Sequence, residues 1–385
     1  MTASPTPFTL HVDDAALDDL RARLARARFP DQAPDAPWAY GTDVGYMRDL
    51  VGHWRDRFDW RAQEARLNAL PQFTVPLHGI DVHFLHVQGV GPNPRPLLLL
   101  HGWPGSVFEF LDIIPMLTDP ARFGGDPADA FTVVAPSLPG FGLSFRPNQP
   151  RYGCEAIADC LADLMTEVLG YRRFAAQGGD WGSIVASRMG FAHPDRVAGI
   201  HLNLMILRPG LKAPDEADAA ERAFFGELAT WLKEDTGYQA IQGTRPQTLA
   251  FGLTDSPLGL AAWIVEKFRA WSDCGGDLDS AFDRDHVLAD ISLYWLTGAI
   301  GSSFWPYYAR LHGPWPVPEG HAVGVPVGYC QFPREILRPP RSLAALYYTD
   351  IRRWTEMPRG GHFAAMEQPA ALTAEIRAFF RTLDR

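Results

Sequence analysis

A chain of 385 residues, 46% of them apolar, is long enough to bury a large core in one domain with insertions or in two domains. Its 45 acidic against 35 basic side chains leave a net charge of −10, which argues against nucleic acid or an anionic membrane as partner. The cysteines Cys154, Cys160, Cys274 and Cys330 make no CxxC pair and no Cys/His cluster, so buried reduced thiols are expected, with no metal and no cofactor. The amino terminus lacks a basic stretch followed by an apolar run, and no segment approaches the length of a membrane span, which predicts a soluble cytoplasmic protein. Twelve Trp and 23 Phe suggest apolar pockets, although aromatic core and lid packing is the expected role of most of them.

The chain opens with two amphipathic patterns. Leu17, Leu20, Leu24 and Ala27 share one helical face after Asp13 and Asp14, and Phe29-Pro30 closes it. Met47, Leu50, Val51, Trp54 and Phe58 share another, so residues 1–70 read as a helical arm. From Phe73 the period changes to that of strands, with Gly79 at a turn between two of them. Leu97-Leu98-Leu99-Leu100 reads as a strand buried on both faces, and it runs into His101-Gly102-Trp103-Pro104-Gly105-Ser106. Ser106 and Glu109 fit a capping box for the next helix. Phe131–Ala135 is a further strand, residues 156–169 a helix, and Val197–Leu204 another strand. Strands alternating with helices predict a mostly parallel α/β sheet over residues 71–207 and 322–385. Residues 208–321 interrupt that pattern. They are helical and aromatic-rich, with Leu260, Trp263, Ile264, Lys267, Phe268 and Trp271 on one face, as in an inserted lid.

The chemistry centres on Gln177-Gly178-Gly179-Asp180-Trp181-Gly182-Ser183, which follows a short apolar strand and opens a helix. Strand, tight glycine turn and helix are the context of a nucleophile elbow, where hydrolases of this architecture usually carry Ser. A serine attacking a saturated carbon would end as an inert ether. A carboxylate gives an ester that water can cleave, so Asp180 suits an electrophilic sp3 carbon such as that of an epoxide or alkyl halide. The plainer alternative is that Asp180 only caps the helix. His362, in Gly360-Gly361-His362-Phe363 after the last strand, is the candidate base. Glu335 and Asp350 compete as the acid that orients it, both in the chain order nucleophile, acid, His. The backbone N–H groups of Trp181 and Trp103 are candidates for an oxyanion hole.

The segments HGWPGS, GGDWGS, FPREILRPP and GGHFAAMEQP, together with the helical arm, make the chain resemble the epoxide hydrolases of the microsomal type over nearly its whole length. The resemblance implies an α/β-hydrolase fold and addition of water to a small apolar epoxide, giving a vicinal diol through a covalent alkyl-enzyme ester. It implies Asp180 as nucleophile, His362 as base and, because it stands in the matching Phe-Pro-Arg-Glu segment, Glu335 as acid. It also implies two lid tyrosines that hydrogen-bond the epoxide oxygen: Tyr238, and either Tyr307 or its neighbour Tyr308, with Tyr307 preferred. By the resemblance, membrane-bound members carry an amino-terminal anchor, and none is expected here. A haloalkane dehalogenase using the same Asp, or a hydrolase-fold protein that only binds ligand, are the rival readings.

Overall fold

The computed structural model describes residues 4–383 except 35, 209, 212, 214 and 215. Its strands are β1 (Thr6–Pro7), β2 (Gln72–Leu77), β3 (Ile80–Val87), β4 (Arg95–Leu100), β5 (Phe131–Pro136), β6 (Phe174–Gly178), β7 (Val197–Leu202), β8 (Val327–Gln331) and β9 (Ile351–Glu356). Among the described residues they make a nine-stranded sheet in the order β1-β2-β3-β5-β4-β6-β7-β8-β9. The pairings β1–β2, β2–β3 and β3–β5 are antiparallel, and every pairing from β5 to β9 is parallel. The mostly parallel α/β sheet expected from the sequence is therefore present. Leu97, Leu98, Leu99 and Leu100 are fully buried, as a central parallel strand covered by helices on both faces must be.

The order of the strands positions the functional site. The chain passes from β4 to β5 on one side and then returns to add β6 on the other. The β4/β6 boundary is thus a topological switch point, where loops at the carboxyl ends diverge and leave a crevice. Leu100 at the end of β4 pairs with Gly178 at the end of β6, so His101–Trp103 and Gly179–Asp180 leave the sheet at the same level.

Several local expectations need adjustment. The first helix, Asp14–Ala25, stops before Phe29-Pro30, and the Asp13 side chain does not cap it. The second, Val44–Asp56, stops before Phe58, and a third, Trp60–Asn68, follows. That third helix has a strongly polar sequence, and its start is set by Asp59 accepting from the Ala62 N–H at 3.3 Å. The capping box expected at Ser106 forms only in part. The Ser106 hydroxyl accepts from the Phe108 N–H instead, at the head of a short 3-10 turn, while the Glu109 carboxyl does turn back to the Ser106 backbone.

Between β7 and β8 lie Ala219–Glu234, Gly237–Thr244, Pro246–Asp255, Pro257–Trp271, Arg284–Thr297 and Trp305–His312, the long helices of the insertion. The amino-terminal helices grip this insertion: Trp54 Nε1 donates to Ser292 Oγ at 2.9 Å, His53 Nε2 meets Asp285 at 2.6 Å, and Thr42 donates to the Ala262 carbonyl at 2.8 Å. No single helix among the described residues is long and apolar enough to cross a membrane; Pro246–Asp255 and Pro257–Trp271 pass only as a pair, bent by 116°.

The elbow helix packs against β4 with no room for a side chain. A Cβ on Gly182 would lie 2.1 Å from the Leu100 carbonyl oxygen. Because backbone cannot yield as a flexible side chain can, Gly182→Ala should destabilise the fold by roughly 1–3 kcal/mol. Urea unfolding of the variant beside wild type measures this, and an unchanged midpoint would show that the helix can slide away.

Candidate active site

Asp180 sits on the turn after β6 with φ of 45°, the left-handed region that non-glycine residues seldom occupy. Gly179 takes the N-cap position of the helix Asp180–Ala192, so Asp180 is the helix's first residue and not its cap. The carboxylate turns instead to the loop after β4, where the Trp103 N–H donates to Oδ1 at 2.7 Å. That approach requires Gly102, since a Cβ there would lie 2.2 Å from Asp180 Oδ1. The Trp181 N–H lies in the first turn of the helix, where no intrahelical carbonyl is available to it.

His101 braces the same loop. Its Nε2 accepts from the Leu138 N–H at 3.0 Å and its Nδ1 donates to the Gly102 carbonyl at 3.0 Å. Because the amide only donates, Nδ1 must carry the proton. Burial pushes His101 down to about 4, so it stays neutral and the tie is kept.

His362 reaches Asp180 from the loop after β9. Its Nε2 is 3.5 Å from Asp180 Oδ2, and its Nδ1 is 2.6 Å from Glu335 Oε1. Both His362 and Glu335 are buried. The loop is clamped by the His362 N–H donating to the Trp271 carbonyl at 2.8 Å and by Glu367, which accepts from the Phe363 and Asp273 N–H groups. Asp350, the competing acid, pairs with Arg352 at 2.9 Å. Burial by itself would lower the His362 pKa, but the adjoining Glu335 and Asp180 carboxylates outweigh it and hold the imidazolium well above its usual range.

Across from this cluster the insertion presents phenols and indoles. Tyr238 stacks on Trp103 at 5.5 Å between ring centroids, and Tyr307 meets Trp181 edge-on at 4.6 Å. The two tyrosine rings are 5.8 Å apart and both are buried. Tyr308 points away, stacked on Trp305 and His312. Of the neighbouring pair, Tyr307 is thus the one that faces Asp180's side of the crevice. Trp271 packs edge-on against His362 at 5.0 Å.

This geometry accompanies clear kinship. Residues 5–110 match the family described as epoxide hydrolase N terminus, and residues 95–244 match the alpha/beta hydrolase fold family. A putative epoxide hydrolase of Stigmatella aurantiaca is 43% identical over 98% of this chain and 85% of its own length. Epoxide hydrolase 1 of Oryctolagus cuniculus is 36% identical over 98% of this chain and 89% of its own. The chain belongs to the epoxide hydrolase family. The solved Aspergillus niger epoxide hydrolase superposes with a TM-score of 0.86 at 30% identity, covering 99% of this chain and 97% of that one. The juvenile hormone epoxide hydrolase of Bombyx mori gives 0.83 at 28%, covering 99% and 94%.

One group in this epoxide hydrolase was read in the sequence only as a cap. Glu109 folds back under Gly105, where a Cβ would lie 1.3 Å from its Oε1, and its carboxyl lines a cavity of about 20 Å³ with Gly102, Gln177, Asp180, Asn203 and His362. That volume is enough for a water molecule. Burial, reinforced by Asp290, raises the Glu109 carboxyl well above the usual range, and burial raises Asp290 to about 8. Lys267, whose helical register placed it on an apolar face, is buried with its Nζ 4.5 Å from the Tyr238 ring centroid. Neither position is visible from spacing, because each depends on contacts far away in the chain.

The charge on Asp180 is one of two that hold the His362 proton. Asp180→Asn should therefore lower the His362 pKa, because burial remains while one carboxylate is lost. Titration followed by nitrogen-15 NMR, with His362→Gln to assign the signal, measures the shift; an unchanged or raised value would contradict the coupling.

Proposed function

We propose that this epoxide hydrolase forms a covalent ester on Asp180 and releases a vicinal diol when water cleaves it. The observation that carries the reading is the single line of contacts from Glu335 through His362 to Asp180, closed on the far side by the Trp103 N–H. With Oδ1 held by Trp103, Oδ2 is the oxygen left to attack a ring carbon. Ring opening places charge on the epoxide oxygen, which Tyr238 and Tyr307 receive as hydrogen-bond donors. Esterification then removes the Asp180 charge, one of the two causes that keep His362 protonated, and the imidazolium passes its proton to the phenol that gave one up in ring opening. The neutral imidazole takes a proton from water in the small cavity by Glu109, and hydroxide adds to the ester carbon. The Trp103 and Trp181 N–H groups stabilise the resulting oxyanion until the diol leaves. Glu335 keeps the Nδ1–H tautomer and the ring orientation.

The indole and phenol rings of Trp103, Trp181, Trp271, Tyr238 and Tyr307 favour a small apolar epoxide. Halide displacement from an alkyl halide would use the same nucleophile, but it has no use for phenolic proton donors. The helices between β7 and β8 act as the lid, and residues 1–70 as the arm that steadies it. Buried thiols at Cys154, Cys160, Cys274 and Cys330 fit a reducing compartment such as the cytoplasm.

In a single turnover in heavy-oxygen water the first diol should contain ordinary oxygen from Asp180. Label in that first product would mean that water attacks the epoxide directly. His362→Gln should still be alkylated, and intact mass spectrometry should find one added epoxide on the peptide containing Asp180; unmodified protein after long incubation counts against the two-step scheme. By analogy with oxyanion-hole donors, Tyr238→Phe or Tyr307→Phe should slow alkylation on the order of 10²-fold, and the double change should nearly abolish it. Stopped-flow tryptophan quenching reads the rate, with Tyr308→Phe as control, and an unaffected double variant would remove the phenols from the mechanism.

A further inference from the structure

We propose that Arg310 and Gln239 are positioning residues for ring opening, a relay that turns the Tyr238 hydroxyl proton toward the epoxide oxygen and supports the charge the phenol acquires when it gives that proton up. The proposal rests on reading Tyr238 as a donor, and it concerns groups that neither the chain's spacing nor its kinship assigns.

Gln239 follows Tyr238 in the helix Gly237–Thr244, and Arg310 lies one turn beyond Tyr307 in the helix Trp305–His312. Those helices pack side by side, with Gly243 against Leu311 and the Tyr307 carbonyl. Arg310 Nη2 donates to Gln239 Oε1 at 2.8 Å, and Gln239 Nε2 donates to the Tyr238 phenol oxygen at 2.9 Å. The direction of this chain is forced. A guanidinium has no acceptor, so the amide oxygen must face Arg310 and the NH2 must face the phenol. The phenol oxygen then receives a hydrogen bond, and its own proton is what it has left to give.

The need for such support comes from burial. Burial pushes the Tyr238 phenol above its usual range and the Asp180 charge pushes it further, whereas Gln239 and Arg310 pull it back down. Burial does the same to Tyr307, and Arg310 again opposes it. Arg310 itself lies with Cζ 5.7 Å from the Trp181 ring centroid, and among the described residues no carboxylate forms an ion pair with it. Its charge acts on both phenols. In the step itself, the Asp180 oxygen forms a bond to carbon as the C–O bond of the epoxide breaks. The departing oxygen takes the Tyr238 proton and leaves a phenolate bonded to Gln239. His362, no longer held charged by Asp180, reprotonates that phenolate, and the water split in ester hydrolysis restores the proton to His362, so epoxide and water balance to diol.

The test is the alkylation rate by stopped-flow quenching in Gln239→Leu, Arg310→Met and Arg310→Lys, each also combined with Tyr238→Phe, and each checked by its thermal midpoint. Gln239→Leu and Arg310→Met should each slow alkylation about tenfold, the size of one hydrogen bond to a group gaining charge, and leave hydrolysis of the preformed ester little changed. Arg310→Lys, which can still donate to Gln239, should recover part of the loss. In the Tyr238→Phe background none of these changes should slow alkylation further. Wild-type alkylation in Gln239→Leu, or a full additional loss on top of Tyr238→Phe, would overturn the relay. If Tyr238→Phe alone alkylates at the wild-type rate, the donor reading of Tyr238 fails instead. Should Arg310→Met not fold, Gln239→Leu, at a half-exposed position, decides the question.

Discussion

The structure depends on how closely the turn after β6 can approach the end of β4. Gly182 lies against the Leu100 carbonyl and Gly102 against the Asp180 carboxylate, so two stretches of backbone come within distances that no side chain would permit. This closeness lets one amide from the β4 loop grip Oδ1 while Asp180 holds a left-handed backbone conformation. The strain is retained because β4 and β6 are fixed partners at the sheet's centre, with side chains buried on both faces. His101 extends the constraint, tying the Trp103 loop to the loop after β5 through a buried imidazole that stays neutral.

Around that rigid centre the electrostatics are unequal by design of burial. His362 stands between two carboxylates and is held charged, while burial drives the Glu109 and Asp290 carboxyls toward their neutral forms. The imidazole is consequently sensitive to the charge state of Asp180, a coupling that a solvent-exposed cluster would lose to screening. The water-sized cavity beside Glu109 is lined by Asp180 and His362 as well.

The opposite wall is built from the insertion between β7 and β8. It brings Tyr238 and Tyr307 together on two packed helices, Tyr238 stacked on Trp103 and Tyr307 edge-on to Trp181. The amino-terminal helices bind the insertion through Trp54, His53 and Thr42, which explains why a segment with no chemistry of its own is long and apolar on one face. Position in space, not proximity in sequence, makes this wall continuous.

The sequence by itself determined the alternation that yields a parallel sheet, the glycine-flanked turn at Asp180 and the loop histidine after the last strand. Those features are local: period, turn chemistry and chain order carry them without reference to distant residues. It left Glu335 and Asp350 level on spacing, and Tyr307 and Tyr308 adjacent on one helix. Tertiary structure separated them, since Glu335 lies against His362 while Asp350 pairs with Arg352, and Tyr307 turns inward while Tyr308 stacks on His312. The same is true of Glu109, whose capping-box pattern gave its turn toward the Ser106 backbone but not its burial beside Asp180 and His362. Such outcomes depend on which side chains long-range packing brings within hydrogen-bonding distance, and no window along the chain contains that information.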